Sequence, residues 1–267
     1  MHSERIVLDG TVNTRDLGGM PAANGMKIKK NKLIRSSYLF KLTEADCKRL
    51  QAAGLKRVVD FRTYAECEDS PDVVVEGVSY TNIPVLTEAA MGITKEKIDR
   101  IDNLLRLEKE FAETGGSPHT HMRDMYKRII TSDHAHEAYR RFFDILLEDN
   151  GGALLWHCTA GKDRAGLGAV LVEYALGVSP SDIMEDYIAT NHFTAKESAE
   201  YADMLFSKTG NRVIADASVL FSSVDESYLE TVLDYFDSEF GGVYGFIEKA
   251  LGVGRRERER LAGLYLE

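Results

Sequence analysis

Between Ala153 and Gly177 the chain reads ALLWHCTAGKDRAGLGAVLVEYALG: an apolar run, a short polar loop with glycine, and a second apolar run. Ala153, Leu154, Leu155 and Trp156 suit a buried strand, and Leu167, Val170, Leu171, Tyr174 and Ala175 recur at helical spacing after the loop. A loop that leaves a strand and opens a helix turns several backbone N–H groups towards one point. The helix dipole adds partial positive charge there, so an anion is the expected occupant.

Into that cup the sequence places Cys158 and Arg164. A cysteine at a helix N-terminus beside cationic groups is a thiolate near neutral pH, and hence a nucleophile. A planar guanidinium holds two oxygens of a phosphoryl group at once, which lysine cannot do. A buried cysteine acting only as a small hydrophobe fits this stretch poorly, and so does a Walker loop, whose G-x-x-x-x-G-K-[ST] pattern is absent.

His157 and Cys158, followed by TAGKD and Arg164, form an H-C-x5-R pattern that resembles the signature of the cysteine-dependent protein tyrosine phosphatases. The filling AGKDR resembles a bacterial branch whose members also take phosphoserine, phosphothreonine and phosphoinositides. NTRDLGG at Asn13 to Gly19 and the tail from Ser227 to Val253 match the same branch.

The resemblance implies an α/β fold, with a central, mostly parallel sheet flanked by helices and a helical C-terminal portion. It implies a phosphate monoester hydrolase that works through a phosphocysteine on Cys158. Arg164 and the N–H groups of Thr159, Ala160, Gly161, Lys162 and Asp163 would bind the phosphoryl oxygens, and His157 would orient the loop.

No W-P-D sequence precedes the loop, so the general acid must come from elsewhere. Asp163 is the first choice and Asp60 the second. Asp60 and Arg62 lie in DFR after the strand Arg57 to Phe61, a match to the family's D-L-R element near the phosphate loop, although such a pair can equally be structural. Lys162 at the rim either meets a second phosphate or is simply solvated. The reaction calls for no cofactor or metal. One departure stands out: the family commonly follows the loop arginine with threonine or serine, and this chain has Ala165. A phosphate-binding module without catalysis, or a sulfurtransferase-like cysteine loop, are the rival readings.

With 44% hydrophobic and 28% charged residues among 267, the chain is globular in composition, and no linker divides it. The expected organisation is a single phosphatase domain, 1–267, with a helical segment at about 88–118 that is either a lid or a solvated surface helix. A net charge of −10 disfavours nucleic acid. No signal-peptide core or membrane-length apolar run is seen, so the expectation is a cytoplasmic protein without membrane insertion. Cys47, Cys67 and Cys158 are scattered and odd in number, which suits a reducing compartment. A regulatory disulfide to Cys158 stays open. His119, His121, His134 and His136 form two H-x-H pairs that lack helical ligand spacing.

Elsewhere the pattern predicts strands near Ile6–Leu8, Lys32–Ser36 and Val78–Val85, and a helix capped by Thr43. In the family that the chain resembles, the segment holding Arg15 and Asp16 lies beside the active site; from spacing alone the two read as a surface ion pair in a turn. Ser179-Pro180 opens a short helix over Asp182–Thr190, with Tyr187 and Asn191 as packing residues. Helices then follow at about 195–208, 225–239, 243–251 and 255–264. The mixed-sign run GRRERER reads as a solvated face.

Overall fold

The computed structural model describes residues 3–88, 101–148 and 151–267. Its centre is a six-stranded sheet in the order β1-β2-β3-β6-β4-β5. The strands are β1 (Glu4–Arg5), β2 (Arg15–Asp16), β3 (Leu33–Ser36), β4 (Leu55–Asp60), β5 (Ser79–Asn82) and β6 (Ala153–His157). β3, β6, β4 and β5 pair in parallel, and the short β1 and β2 add antiparallel pairs at one edge. This is the mixed, mostly parallel α/β arrangement that the resemblance implies.

Strand alternation explains why the central run is apolar throughout. Leu154 and Trp156 of β6, Val59 of β4 and Leu33 of β3 join the larger core, whereas Ala153, Leu155, Val58 and Ile34 join a smaller one with Leu50. Both faces of β6 are therefore covered, as a central parallel strand requires.

Helix α1 (Glu44–Ala52) is capped by Thr43, and α2 (Tyr64–Asp69) opens on a capping box of Thr63 and Glu66. Further along come α3 (Ile101–Thr114), α4 (Pro118–Thr131) and α5 (Asp133–Leu147). Helix α6 (Arg164–Ala175) follows the loop and is buried along its whole length. Next are α7 (Pro180–Thr209), α8 (Arg212–Ser222), α9 (Glu226–Phe240), α10 (Val243–Lys249) and α11 (Arg255–Tyr265).

Three sequence expectations are corrected. The short helix at Asp182–Thr190 and the next one at about 195–208 are one 30-residue helix, α7, because no breaker separates them and Gly210 in left-handed backbone (φ 64°) ends it. α8 was not separated from its neighbours in the sequence pattern; Asn211 caps it by accepting from Val213 and Ile214 N–H. Arg15 and Asp16 are not a surface pair, since both are buried. Asp16 accepts from the Gly18 and Asn31 amides, and Arg15 turns inward to Asp186 of α7. Within the proposed lid segment, 89–100 lies outside the described residues, while α3 is amphipathic and packs against α8.

Candidate active site

The loop from Cys158 to Asp163 joins β6 to α6, and its carbonyls are held from outside. Tyr38 N–H donates to the Thr159 carbonyl at 3.0 Å. The Asn13 carboxamide donates to the Ala160 and Gly161 carbonyls, both at 3.1 Å. Arg35 donates to Gly161 at 2.8 Å, and His157 Nδ1 lies 3.2 Å from the Cys158 carbonyl. Across a trans peptide the carbonyl and the following N–H point in opposite directions. Holding four successive carbonyls outward therefore turns the amides of Thr159, Ala160, Gly161 and Lys162 inward.

Gly161 makes the reversal possible: its φ is +65°, and a Cβ there would lie 2.4 Å from the Ser36 carbonyl oxygen.

Arg164 begins α6 and is gripped by Glu66 of α2, which accepts from both terminal nitrogens at 2.7 Å. The same carboxylate accepts the Thr159 hydroxyl at 2.8 Å. Burial works against ionising Glu66, but the Arg164 bonds and charge overcome it and bring its pKa down to about 2. Glu66 was not singled out from the sequence. Its signal was the T-x-x-E capping pattern, because the side chain that caps α2 is the one that fixes the arginine.

His157 sits between Asp72, at 3.0 Å from Nε2, and the loop backbone. Burial alone would lower its pKa, yet the charge of Asp60 and the contact with Asp72 raise it, which favours the doubly protonated ring. Asp72 also escaped the sequence reading. Asp60 pairs in register with His157, and both its oxygens take bonds from Arg62. Arg62 further bonds Asp72 and the Ser70 carbonyl. Asp60, Asp72 and His157 bring ligand-type atoms within 4.8 Å of one another, but Arg62 already supplies positive charge there.

Lys162 is not at the rim. It is buried, and its ammonium donates to Asp163 Oδ1 at 2.7 Å. Asp163 is partly open and also contacts the Tyr126 hydroxyl, which in turn accepts from Tyr187 at 2.8 Å. Cys158 is buried at the base, and all three cysteines are free. Cys67 donates to Asp60 at 3.2 Å, and burial followed by the Asp60 charge pushes its thiol up to about 12. Of the histidine pairs, His119 meets the Tyr228 hydroxyl and His136 the Ile130 carbonyl.

A cleft of about 460 Å³ opens beside the loop. Thr159 and Ala160 line it together with Tyr38, Phe40 and Lys41 from the segment after β3, and Thr194, Glu197 and Tyr201 from α7. Tyr38 and Phe40 stand 4.4 Å apart, centroid to centroid, and the Lys41 ammonium lies over both rings.

The profile of the tyrosine phosphatase family matches residues 6–267, which takes in the loop, the Asn13 segment and the C-terminal helices. The chain belongs to that family. A Cupriavidus necator protein assigned to the tyrosine-protein phosphatases is 30% identical over 98% of this chain and 88% of its own length. A tyrosine-protein phosphatase of Nostoc commune is 28% identical over 90% of this chain and 76% of its own. The triple specificity protein phosphatase PtpB of Mycobacterium tuberculosis is 26% identical over 97% of this chain and 98% of its own. The chain is thus a protein tyrosine phosphatase, a phosphoric monoester hydrolase acting on phosphorylated substrates, and a non-catalytic phosphate cup is the less favoured reading. Among the described residues, no helix is long and apolar enough to cross a membrane.

Proposed function

We propose that this phosphatase works in two steps through Cys158. A lone pair of the Cys158 thiolate forms the S–P bond while the P–O bond to the leaving group breaks, and the departing oxygen takes a proton from Asp163. Water then forms a new P–O bond and gives a proton to the Asp163 carboxylate, and the S–P bond breaks to return the thiolate. The inward amides and Arg164 bind the equatorial oxygens, whose charge rises in the transition state. The observation that carries this reading is the set of carbonyls held outward from the loop, together with the two-point grip of Glu66 on Arg164.

Asp163 is preferred over Asp60 as the acid. Asp60 has both oxygens on Arg62 and a pKa held down at about 2, since the His157 charge and the Arg62 bonds outweigh burial. It is therefore a poor proton donor.

Phosphoserine, phosphothreonine and phosphoinositides belong to the proposed range, supported by the AGKDR filling and by the likeness to a triple specificity phosphatase. The exposed Lys41 on the cleft wall is the cation that would meet a second anionic group. The cytoplasmic setting rests on the three scattered free thiols. The one-domain reading is supported by the family match across residues 6–267; a lid role for the described part of the expected segment draws on α3 lying on α8, whose end residue Ser222 lines the cleft.

The test is turnover of p-nitrophenyl phosphate with acid-quench trapping of the phosphoenzyme. Trapping in the native protein, with no turnover in Cys158→Ser, is expected. Substantial hydrolysis by Cys158→Ser would overturn the mechanism.

A further inference from the structure

Asn13 is fully buried and stands in left-handed backbone, with φ of 56°. Its side chain has an unambiguous orientation. The Arg15 guanidinium can only donate, so the amide oxygen faces Arg15 Nη1, and the amide nitrogen is left for the carbonyls of Ala160 and Gly161. Arg15 is held in turn by both carboxylate oxygens and the carbonyl of Asp186 on α7. Arg35 runs from the same Asp186, at 3.0 Å, to the Gly161 carbonyl.

These bonds join three pieces that are distant in sequence. α7 supplies part of the cleft wall through Thr194, Glu197 and Tyr201, and Asp186, two turns earlier on that helix, anchors the two arginines. The arginines and Asn13 then fix the Ala160 and Gly161 peptide planes. Left to themselves, those planes in a glycine-containing loop could turn either way. With a carbonyl facing inward, each plane would present a partial negative charge to a phosphoryl group instead of a donor.

We propose that Asn13 is a positioning residue for transition-state binding: its carboxamide holds the Ala160 and Gly161 carbonyls away from the phosphoryl group, so that the amides of Gly161 and Lys162 face it. This rests on the loop's being the catalytic phosphate site. Because charge on the equatorial oxygens rises in the transition state, misaimed amides cost more there than in the substrate complex. The loss therefore falls on kcat rather than KM.

Two substitutions separate this role from simple packing, and both tolerate left-handed backbone. Asn13→Gly removes the donor. Asn13→Asp keeps the shape but sets an acceptor against two carbonyl oxygens. With p-nitrophenyl phosphate, kcat should fall about tenfold or more in Asn13→Gly and further in Asn13→Asp, with KM changed by less than about threefold. Placed in the Cys158→Ser background, Asn13→Gly should weaken inorganic phosphate by a smaller factor than the loss in kcat.

A kcat within about twofold of native in Asn13→Gly would overturn the inference, and so would a loss confined to KM. If Asn13→Asp does not fold, Asn13→Gly alone decides. Turnover in Cys158→Ser with Asn13 intact would instead overturn the reading of the loop, so the two failures are told apart.

Discussion

Glu66 and Arg164 meet through two parallel hydrogen bonds of 2.7 Å, the geometry in which a carboxylate fixes both the position and the plane of a guanidinium. Without that grip Arg164 has several rotamers, and the phosphoryl clamp would be assembled only part of the time. Glu66→Gln keeps an acceptor for the Thr63 amide, so α2 stays capped, but removes the charge and one acceptor oxygen. The expected result is a fall in kcat/KM of about ten- to a hundredfold, the factor for a charge-assisted hydrogen bond of roughly 1.5–3 kcal/mol. The melting temperature should fall as well, because Arg164 stays buried without its counter-charge, so kcat/KM is compared well below the transition. Native kcat/KM in Glu66→Gln would show that the loop alone orients Arg164.

The nucleophile and the phosphate clamp were legible because strand, loop and helix are contiguous and each has a local pattern. Of the parts that aim them, the Asn13 segment was marked by the resemblance, and the contacts themselves were not legible. Glu66, Asp72, Asn13, Arg35 and Asp186 come from separate elements, and their meeting is a product of sheet order that no local period encodes. Arg15 and Asp16 were misplaced for a related reason. An isolated charged pair in a turn is ordinarily solvated; here Asp186, 171 residues from Arg15, supplies the counter-charge for Arg15, and the Gly18 and Asn31 amides satisfy Asp16. Lys162 was expected at the rim, meeting a second phosphate or solvent, yet its ammonium bends back to the next residue.

That position of Lys162 changes what its removal should do. Lys162 donates to Asp163, and Tyr126, steadied by Tyr187, contacts the same carboxylate. Both therefore act through the proposed acid. Lys162→Met and Tyr126→Phe should each lower kcat/KM for alkyl phosphates more than for p-nitrophenyl phosphate, because in the first step an alkoxide needs the proton and nitrophenolate scarcely does. Asp163→Asn should show the same bias more strongly. A uniform loss of kcat/KM across leaving groups in all three variants would move the acid elsewhere.

Lys41 is the contrasting case. It is exposed on the cleft wall, with its ammonium over the Tyr38 and Phe40 rings. Lys41→Ala should leave p-nitrophenyl phosphate turnover unchanged and lower kcat/KM about threefold to fivefold for substrates with a second anionic group, the range for one solvent-screened charge pair. The effect should fade at high salt. Equal kcat/KM ratios for singly and doubly anionic substrates would exclude Lys41 from recognition.

Asp60 makes a pH prediction. Its pKa falls from an ordinary 3.8 to about 2: burial would raise it, but the His157 charge and the Arg62 bonds prevail. A carboxylate depressed on folding contributes stability that is fully present above its unfolded pKa and is lost as pH falls through the folded value. The window is therefore about pH 4 to 2, and the contribution is about 2 kcal/mol. Asp60→Asn, which leaves Arg62 short of a counter-charge, should be less stable than native at pH 6, and the gap in urea unfolding should narrow as pH falls towards 2.5. A gap independent of pH would mean that packing, not charge, is what the substitution removes.

Ala165 bears on the second chemical step. It is fully buried at the first turn of α6, its carbonyl accepts from Trp156 Nε1 at 3.0 Å, and its side chain offers no donor to sulfur. The family that the loop resembles commonly carries a hydroxyl at this place. Without it the thiolate has one fewer donor as water displaces it from phosphorus. A hydrogen bond to a charged group is worth about 1.5–3 kcal/mol, roughly ten- to a hundredfold in the step it assists. Hydrolysis of the phosphocysteine should therefore limit turnover. Rapid mixing with p-nitrophenyl phosphate should give a burst of nitrophenolate that approaches one equivalent per active site. Ala165→Ser, the smallest change that restores a hydroxyl in this packed position, should shrink the burst and raise the steady-state rate. If no burst forms and Ala165→Ser turns over at the native rate, the inward amides already stabilise the departing sulfur, and the first step is the slow one.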